Sequence, residues 1–394
     1  MNKNMMKNMN FLITSPNFPS NLQYFALRLK EEGVNVLGIG DTPYEELSDN
    51  LKYALTEYYK VENMENLEEV KRGVAFLIFK HGPIDRIESN TEHWLVNDAE
   101  LREQFNVTGP KLKDLTKTMY KSRMKSIFKK AGLPVVEGYL VEDEKDFKKA
   151  LKTLKYPFIA KPDHGVGTSA TYKIENKKDA DFFLENWDGV NYFLEPFVDN
   201  AELCTYDGLL DADGNIVYET SFYYNIPTLN QINGKDSSFT VVDKVDPKLQ
   251  KYGRDIVKAF GMKERFFHIE FFRKKNGEYV VIEYNNRSSG GHSIDLYNHS
   301  ISGDLYKVYA QIVTGKLEEK PVFKSKYASS VSRRDGVEYV HSHEEIYAKY
   351  GDCIKMSMKL PKIFSDIMGD EAFIAISDTR KKADELVEFI HKRK

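Results

Sequence analysis

The chain has 394 residues, enough for two or three domains with large cores, and its 57 Lys and Arg against 60 Asp and Glu leave a net charge of −3. That balance offers no basic footprint for nucleic acid or an anionic membrane, and no apolar run approaches the ~20 residues that a membrane-spanning helix needs. Two distant cysteines, Cys204 and Cys353, and nine histidines without metal-ligand spacing argue against a disulfide scaffold or a Cys-rich zinc site, and fit a reduced, cytoplasmic protein.

Residues 1–10 are polar, lack the apolar core of a signal peptide and are expected to form a frayed tail. Phe11–Ser15 reads as a strand, and Leu22 to Glu32 as an amphipathic helix stopped by Gly33. Val34–Ile39 and Val74–Lys80 read as further strands, so residues 11–108 predict an α/β unit on a parallel sheet. No G-x-G-x-x-G follows the first strand, which argues against a dinucleotide fold. Gly109-Pro110 punctuates the chain, and a basic helix is predicted from Thr116 to Lys130, closed by Ala131-Gly132-Leu133-Pro134. Within a unit expected over 109–320, the pattern from Val135 to about Gly315 is strand-rich with helical insertions, and Pro321 opens a last α+β unit, 321–394, with a strand at Ala372–Ile376 and a helix at Lys381–His391. There is no internal repeat and no low-complexity segment.

The clearest chemical signal is a hairpin. The apolar runs Phe266–Phe272 and Tyr279–Tyr284 flank Asn276-Gly277, a strong two-residue turn signal. With that turn, Glu270 stands directly opposite Glu283, and His268 opposite Asn285. Period-two alternation puts Glu283, Asn285 and Arg287 on one face if the strand runs that far. Opposed like charges destabilise a sheet unless something neutralises them. Two carboxylates and an amide oxygen are hard ligands that suit Mg²⁺ carrying phosphates; the competing reading is a polar stripe facing water.

Three weaker signals precede it. A strand delivers Lys161, and the small-residue loop Gly165-Val166-Gly167-Thr168-Ser169-Ala170 follows, where backbone N–H groups can approach phosphate oxygens. It is not a Walker A loop, because no Gly-Lys-Ser/Thr follows. Glu195 ends an apolar strand beside Pro196, where it could accept from an adenine amino group or simply cap the surface. Lys121, within Met119–Lys125, reads in isolation as part of a solvated helix face.

Taken in order, these segments resemble the ATP-grasp superfamily, and specifically its carboxylate–amine ligases with a biotin-carboxylase-like N-terminal domain. The resemblance covers nearly the whole chain. It implies an α/β and α+β architecture: an N-terminal parallel-sheet domain, an ATP-grasp fold of two α+β subdomains with a flap at about residues 135–200, and a small C-terminal α+β unit. It implies that Lys121, Lys161, Gly165, Gly167, Thr168, Ser169, Glu195, Phe197, Val198 and Glu202 bind ATP. It further implies that Glu270, Glu283 and Asn285 hold one or two Mg²⁺ ions, replaceable by Mn²⁺, and that Arg287 stabilises charge on a reacting acyl phosphate. The substrates it implies are a small-molecule carboxylate and an amine, with ADP and phosphate released; a homodimer is compatible with it.

One departure separates the chain from biotin carboxylases. A Q-V-E-H-like run is expected after the arginine, and Ser288-Ser289-Gly290-Gly291-His292 stands there instead. That loop resembles the substrate loop of amino-acid ligases, which makes Ser288, Gly290, Gly291 and His292 substrate candidates. Ser89-Asn90-Thr91-Glu92, the aromatic run Phe222-Tyr223-Tyr224 and Arg333-Arg334 are secondary candidates for the cleft. Carboxylation of a small acceptor, and an ATP-binding sensor without turnover, are the alternative readings.

Overall fold

A computed structural model describes residues 9–165, 171–225 and 234–394. The N-terminal unit is a four-stranded parallel sheet in the order Glu57–Lys60, Asn35–Gly40, Asn10–Thr14, Arg86–Glu88. The run expected as the strand Val74–Lys80 is instead part of the helix Leu67–His81, capped by the Asn66 side chain. Val70, Val74 and Leu77 repeat at helical spacing and are buried, while Phe79 is 88% exposed. A short apolar window looks the same in strand and helix, and here the 3.6 period extends upstream and decides.

The basic helix expected from Thr116 to Lys130 is two helices, Leu112–Met119 and Lys121–Lys130. Tyr120 leaves helical geometry at φ −107° and ψ 120° to bridge His164. Asp163 supplies the second helix with its cap, accepting from the Ser122 N–H at 2.7 Å and the Ser122 hydroxyl at 2.8 Å. The break turns Lys121 toward the start of the glycine loop, where its Nζ lies 3.4 Å from the Gly165 carbonyl.

A small antiparallel sheet follows, in the order Tyr139–Val141, Tyr192–Pro196, Phe158–Pro162, Tyr172–Ile174. Its apolar face packs Phe147, Phe158, Phe183 and Tyr192 under two helices, so its polar positions, Lys161 and Glu195 among them, fall on the other side. The largest sheet has nine strands among the described residues. Along it run Tyr279–Asn285, Phe266–Arg273, Glu202–Leu210, Phe222–Tyr224, Ser238–Val241, Tyr327–Arg333, Glu371–Ser377 and Ile354–Lys359, with Ile216–Thr220 beside Glu202–Leu210. The strands after Pro321 therefore extend the sheet that carries the hairpin. Phe25 of the N-terminal unit packs edge-on against Tyr306 and Tyr309 at 4.9 and 5.0 Å, so the first unit and the central one share a core. Among the described residues no helix is long and apolar enough to cross a membrane.

Candidate active site

The hairpin reaches the expected pairing by an unexpected route. The turn is not two residues: the Lys274 N–H donates to the Glu278 carbonyl at 2.8 Å, which leaves a three-residue loop, Lys275-Asn276-Gly277. Gly277 takes φ +80°, a conformation that favours glycine, and this is the usual form of a three-residue hairpin loop. The longer loop shifts the register by one, so Phe271 faces Val281. A bulge at Ile282 shifts it back, and Glu270 then faces Glu283 and His268 faces Asn285. The strand ends at Asn285, so Arg287 lies in the bend beyond it rather than on the strand face.

The two carboxylates are not equivalent. Burial works against ionisation of Glu270, but a hydrogen bond from His268 and the charges of His268, Arg287 and Lys161 hold it below the usual carboxylate range. Glu283 is pushed upward by burial and by the charge of Glu270, against the pull of Lys121 and Lys161. Beneath them lies a buried chain of polar groups. His268 Nδ1 meets Asp207 Oδ1 at 2.5 Å, its Nε2 lies 3.4 Å from Glu270 Oε1, and the Thr205 hydroxyl donates to Asp207. Burial disfavours a charged His268, yet Asp207 and Glu270 outweigh it and push its pKa up to about 9, so it is an imidazolium between two carboxylates.

The second cluster hangs from the small sheet. Lys161 Nζ lies 2.5 Å from Glu195 Oε1, and Lys125 Nζ lies 3.0 Å from Glu195 Oε2. All three side chains are largely buried. Burial alone would raise the Glu195 carboxyl, but the two ammonium groups bring it down to about 2. Lys161 also feels Glu283 and Glu270, which places this cluster over the hairpin. A direct tie holds the hairpin to the end of the lysine helix, because the Val281 N–H donates to the Pro134 carbonyl at 3.0 Å.

Arg287 is gripped from the N-terminal unit. Its Nε donates to Glu92 Oε2 at 2.6 Å, and its Nη1 to the Ser288 carbonyl at 2.7 Å. Beside it is a cavity of about 160 Å³, lined in part by Glu92, His93, His164, Glu283 and Asn286. Asn286 is 2% exposed, and neither end of its amide has a partner among the described residues.

The structure thus gathers Lys121, Lys161, Glu195, Glu270, Glu283, Asn285 and Arg287 around one cleft. Others face elsewhere. Glu202 pairs with Arg380 at 2.8 Å and Arg273 at 3.4 Å. His292 turns into the main sheet, with its Nε2 2.6 Å from the Ser330 hydroxyl, and burial lowers its pKa to about 4. Phe197 and Val198 are half-buried at the edge of the small sheet, and the Phe197 ring carries the Lys173 ammonium at 4.7 Å. Ser288 is buried, Gly290 is exposed, and the Gly291 carbonyl accepts from Asn21 Nδ2 at 3.2 Å. Gly167, Thr168 and Ser169 lie outside the described residues. Arg333 and Arg334 spend their donors on backbone carbonyls, those of Ile390 and His341 for the first and of Lys235, Ser365 and Asp366 for the second. Tyr224 comes near Glu270, Asp207 and Arg287, closely enough that all three influence its hydroxyl. Sequence reasoning passed over Lys125 and Asp207. Lys125 had a usable signal, standing four residues after Lys121 on the same helix face; Asp207 is recognisable only once His268 is paired with it.

A family model described as "Carbamoyl-phosphate synthase L chain, ATP binding domain" matches residues 120–319, half of the chain. The L-arginine-specific L-amino acid ligase of Bacillus subtilis is 24% identical over 316 residues, which is 75% of each protein. Among solved structures, an L-amino acid ligase from Bacillus licheniformis superposes with a TM-score of 0.74 at 16% identity, covering 97% of this chain and 96% of that one. The biotin carboxylase domain of the Hydrogenobacter thermophilus 2-oxoglutarate carboxylase, solved with MgADP and bicarbonate, gives a TM-score of 0.68 at 18% identity, covering 98% of this chain and 90% of that one.

Proposed function

The chain belongs to the family of the carbamoyl-phosphate synthase L chain ATP-binding domain and is an ADP-forming ATP-grasp carboxylate–amine ligase, and from that premise we propose that the carboxylate it activates is that of an amino acid. The observation that carries this reading is the cavity of about 160 Å³ wedged between Glu283, Asn286 and the Glu92 that grips Arg287. It is small, and its lining combines the polar Glu92, His93, Glu283 and Asn286 with the apolar Leu95, Val96, Leu115 and Met119, which suits a compact amino acid. Two relatives from Bacillus, an L-arginine-specific L-amino acid ligase and an L-amino acid ligase, support an amino acid as substrate.

Glu270, Glu283 and Asn285 would hold Mg²⁺. Their donor set fits it: two carboxylates face each other across the hairpin, Glu283 is raised by burial and then by the charge of Glu270, and all the donors are oxygen. Bound there, the ion would neutralise phosphate charge. Lys161 and Lys121 add positive charge over the same place, and Glu195 with Lys125 keeps Lys161 in position. The substrate carboxylate attacks the γ-phosphorus of ATP and the bond to the β-phosphate oxygen breaks, giving an acyl phosphate and ADP. An amine then attacks the acyl carbon, passes through an oxyanion facing Arg287, and expels phosphate as the amide forms. A closed cleft protects the acyl phosphate from water.

The test is phosphate release from ATP over single and paired L-amino acids, with hydroxylamine as a trap. ADP, phosphate and an amino-acyl hydroxamate are expected. Pyrophosphate as product overturns the acyl-phosphate route, and release that no amino acid stimulates while other carboxylic acids do overturns the amino-acid reading.

A further inference from the structure

A second cavity, of about 320 Å³, lies at the junction of the N-terminal sheet, the Gly109-Pro110 linker and the foot of the hairpin strand, and shares no lining residue with the cavity at Glu283. Five cationic side chains line it, those of Arg86, Arg102, Lys117, Lys263 and Arg265, against the carboxylates of Glu88, Asp114 and Glu264.

The imbalance is sharpest where water is excluded. Arg102 and Arg265 are 1% and 4% exposed, and both guanidinium groups are paired to a single carboxylate, Glu88. Arg102 is otherwise satisfied, donating to the Ile87 carbonyl at 2.6 and 2.9 Å and to the Pro110 carbonyl at 3.0 Å. Arg265 is not: its Nε and Nη1 have no acceptor among the described residues. Arg86, paired through Nη2 with Glu264 at 2.9 Å, leaves its own Nε without one. The buried carboxylate of Asp98 nearby gives its oxygens to the Thr14 hydroxyl at 2.6 Å and the Ser89 N–H at 2.8 Å, and does not line the cavity. A buried guanidinium with two unpaired donors is costly, and native proteins supply such a group with an acceptor.

We propose that this cavity is a binding site for a compact oxyanion, a small organic carboxylate or a phosphate, held between Arg265 and Arg86. Glu88 pairs with both Arg102 and Arg265 through Oε2 while its Oε1 has no donor among the described residues, so the occupant supplies acceptors to Arg265 Nε and Nη1 and to Arg86 Nε and balances the excess positive charge. Phe11, Met262 and Val313 also line the cavity and offer apolar surface to a short hydrocarbon body. The cavity volume suits a metabolite of a few carbons rather than a nucleotide.

The experiment measures the thermal unfolding midpoint of the full chain with the nucleotide site saturated by a non-hydrolysable ATP analogue and Mg²⁺. Inorganic phosphate and succinate are titrated separately, with sodium chloride at matched ionic strength as the control. A saturable rise in the midpoint is expected with at least one of the two, and which one responds identifies the source of the oxyanion. Arg265→Gln risks misfolding, so the deciding variant is Arg86→Gln, whose side chain is 20% exposed. It should fold normally and weaken the half-saturating concentration roughly tenfold or more, the weight of one charge-assisted hydrogen bond. A response that the chloride control reproduces, one that never saturates, or one that Arg86→Gln leaves unchanged overturns the proposal.

Discussion

Glu92 reaches across from the N-terminal unit and accepts a hydrogen bond from Arg287 Nε at 2.6 Å. The arginine proposed to meet the reacting carbonyl is therefore aimed by a carboxylate outside the ATP-binding part of the fold. Arg287→Met should leave nucleotide affinity within a few-fold of the native value, while turnover falls by about two orders of magnitude, the usual cost of one preorganised oxyanion donor. Glu92→Gln should lower turnover less, because the guanidinium remains but is aimed less firmly. Calorimetry and phosphate release read the two quantities separately. An equal loss of nucleotide binding in Arg287→Met would show that the arginine serves the nucleotide instead.

Glu195 is shared by two buried ammonium groups, and this makes its removal asymmetric. Glu195→Gln strands both Lys161 and Lys125 and should cost about 3–5 kcal/mol of folding stability. Lys125→Met leaves Glu195 still paired with Lys161 at 2.5 Å and should cost less. Urea unfolding gives the order. Lys125→Met proving the more damaging change would mean that the helix, and not the carboxylate, organises the cluster.

His268 gives the metal-free protein an alkaline signature. Its folded pKa is about 9 against an ordinary 6.5. A group whose pKa rises on folding adds stability that is full below its unfolded value and disappears as pH climbs through the folded one. The gap in unfolding midpoint between the native chain and His268→Gln, measured in chelator, should be widest near pH 6 and should narrow up to about pH 9. A gap that stays constant across that interval would mean that His268 is neutral beside Asp207.

Gly277 at φ +80° closes the three-residue loop of the hairpin. Gly277→Ala should cost about 1 kcal/mol, since a Cβ disfavours that conformation. No heavy atom lies within 4 Å of the position a Cβ would take, so the penalty is one of backbone strain alone. Urea unfolding would reveal a much larger loss if the loop also had to repack.

Much of this site was legible because its residues lie on regular strands. Alternation fixes which side chains of one strand share a face, so Glu283 and Asn285 could be grouped in advance, whereas Lys161 and Glu195 stand on different strands and come together only through the register of the small sheet. The facing of Glu270 and Glu283 was reached through a wrong turn length that the bulge at Ile282 then cancelled. Neither a bulge nor a three-residue loop is marked by hydrophobic pattern, since Val280, Val281 and Ile282 read as one apolar run. Val74–Lys80 was misread for the same reason. What depended on chain segments far apart was not readable at all: the Glu92–Arg287 contact, the Asp207–His268 pair, and the inward turn of His292 toward Ser330.

The place of Tyr327–Arg333 in the main sheet has a consequence for how the protein is made. This late strand lies between Ser238–Val241 on one side and Glu371–Ser377 on the other. During synthesis Ser238–Val241 leaves the ribosome about ninety residues ahead of its neighbour, and for that interval the backbone donors and acceptors of one of its edges face water. Phe239 and Val241, both buried in the finished molecule, make that edge adhesive. A nascent chain stalled in this window presents a hydrophobic strand paired on one side by Phe222–Tyr224 and open on the other, so ribosome pausing there should raise the share of this protein that aggregates before it is complete.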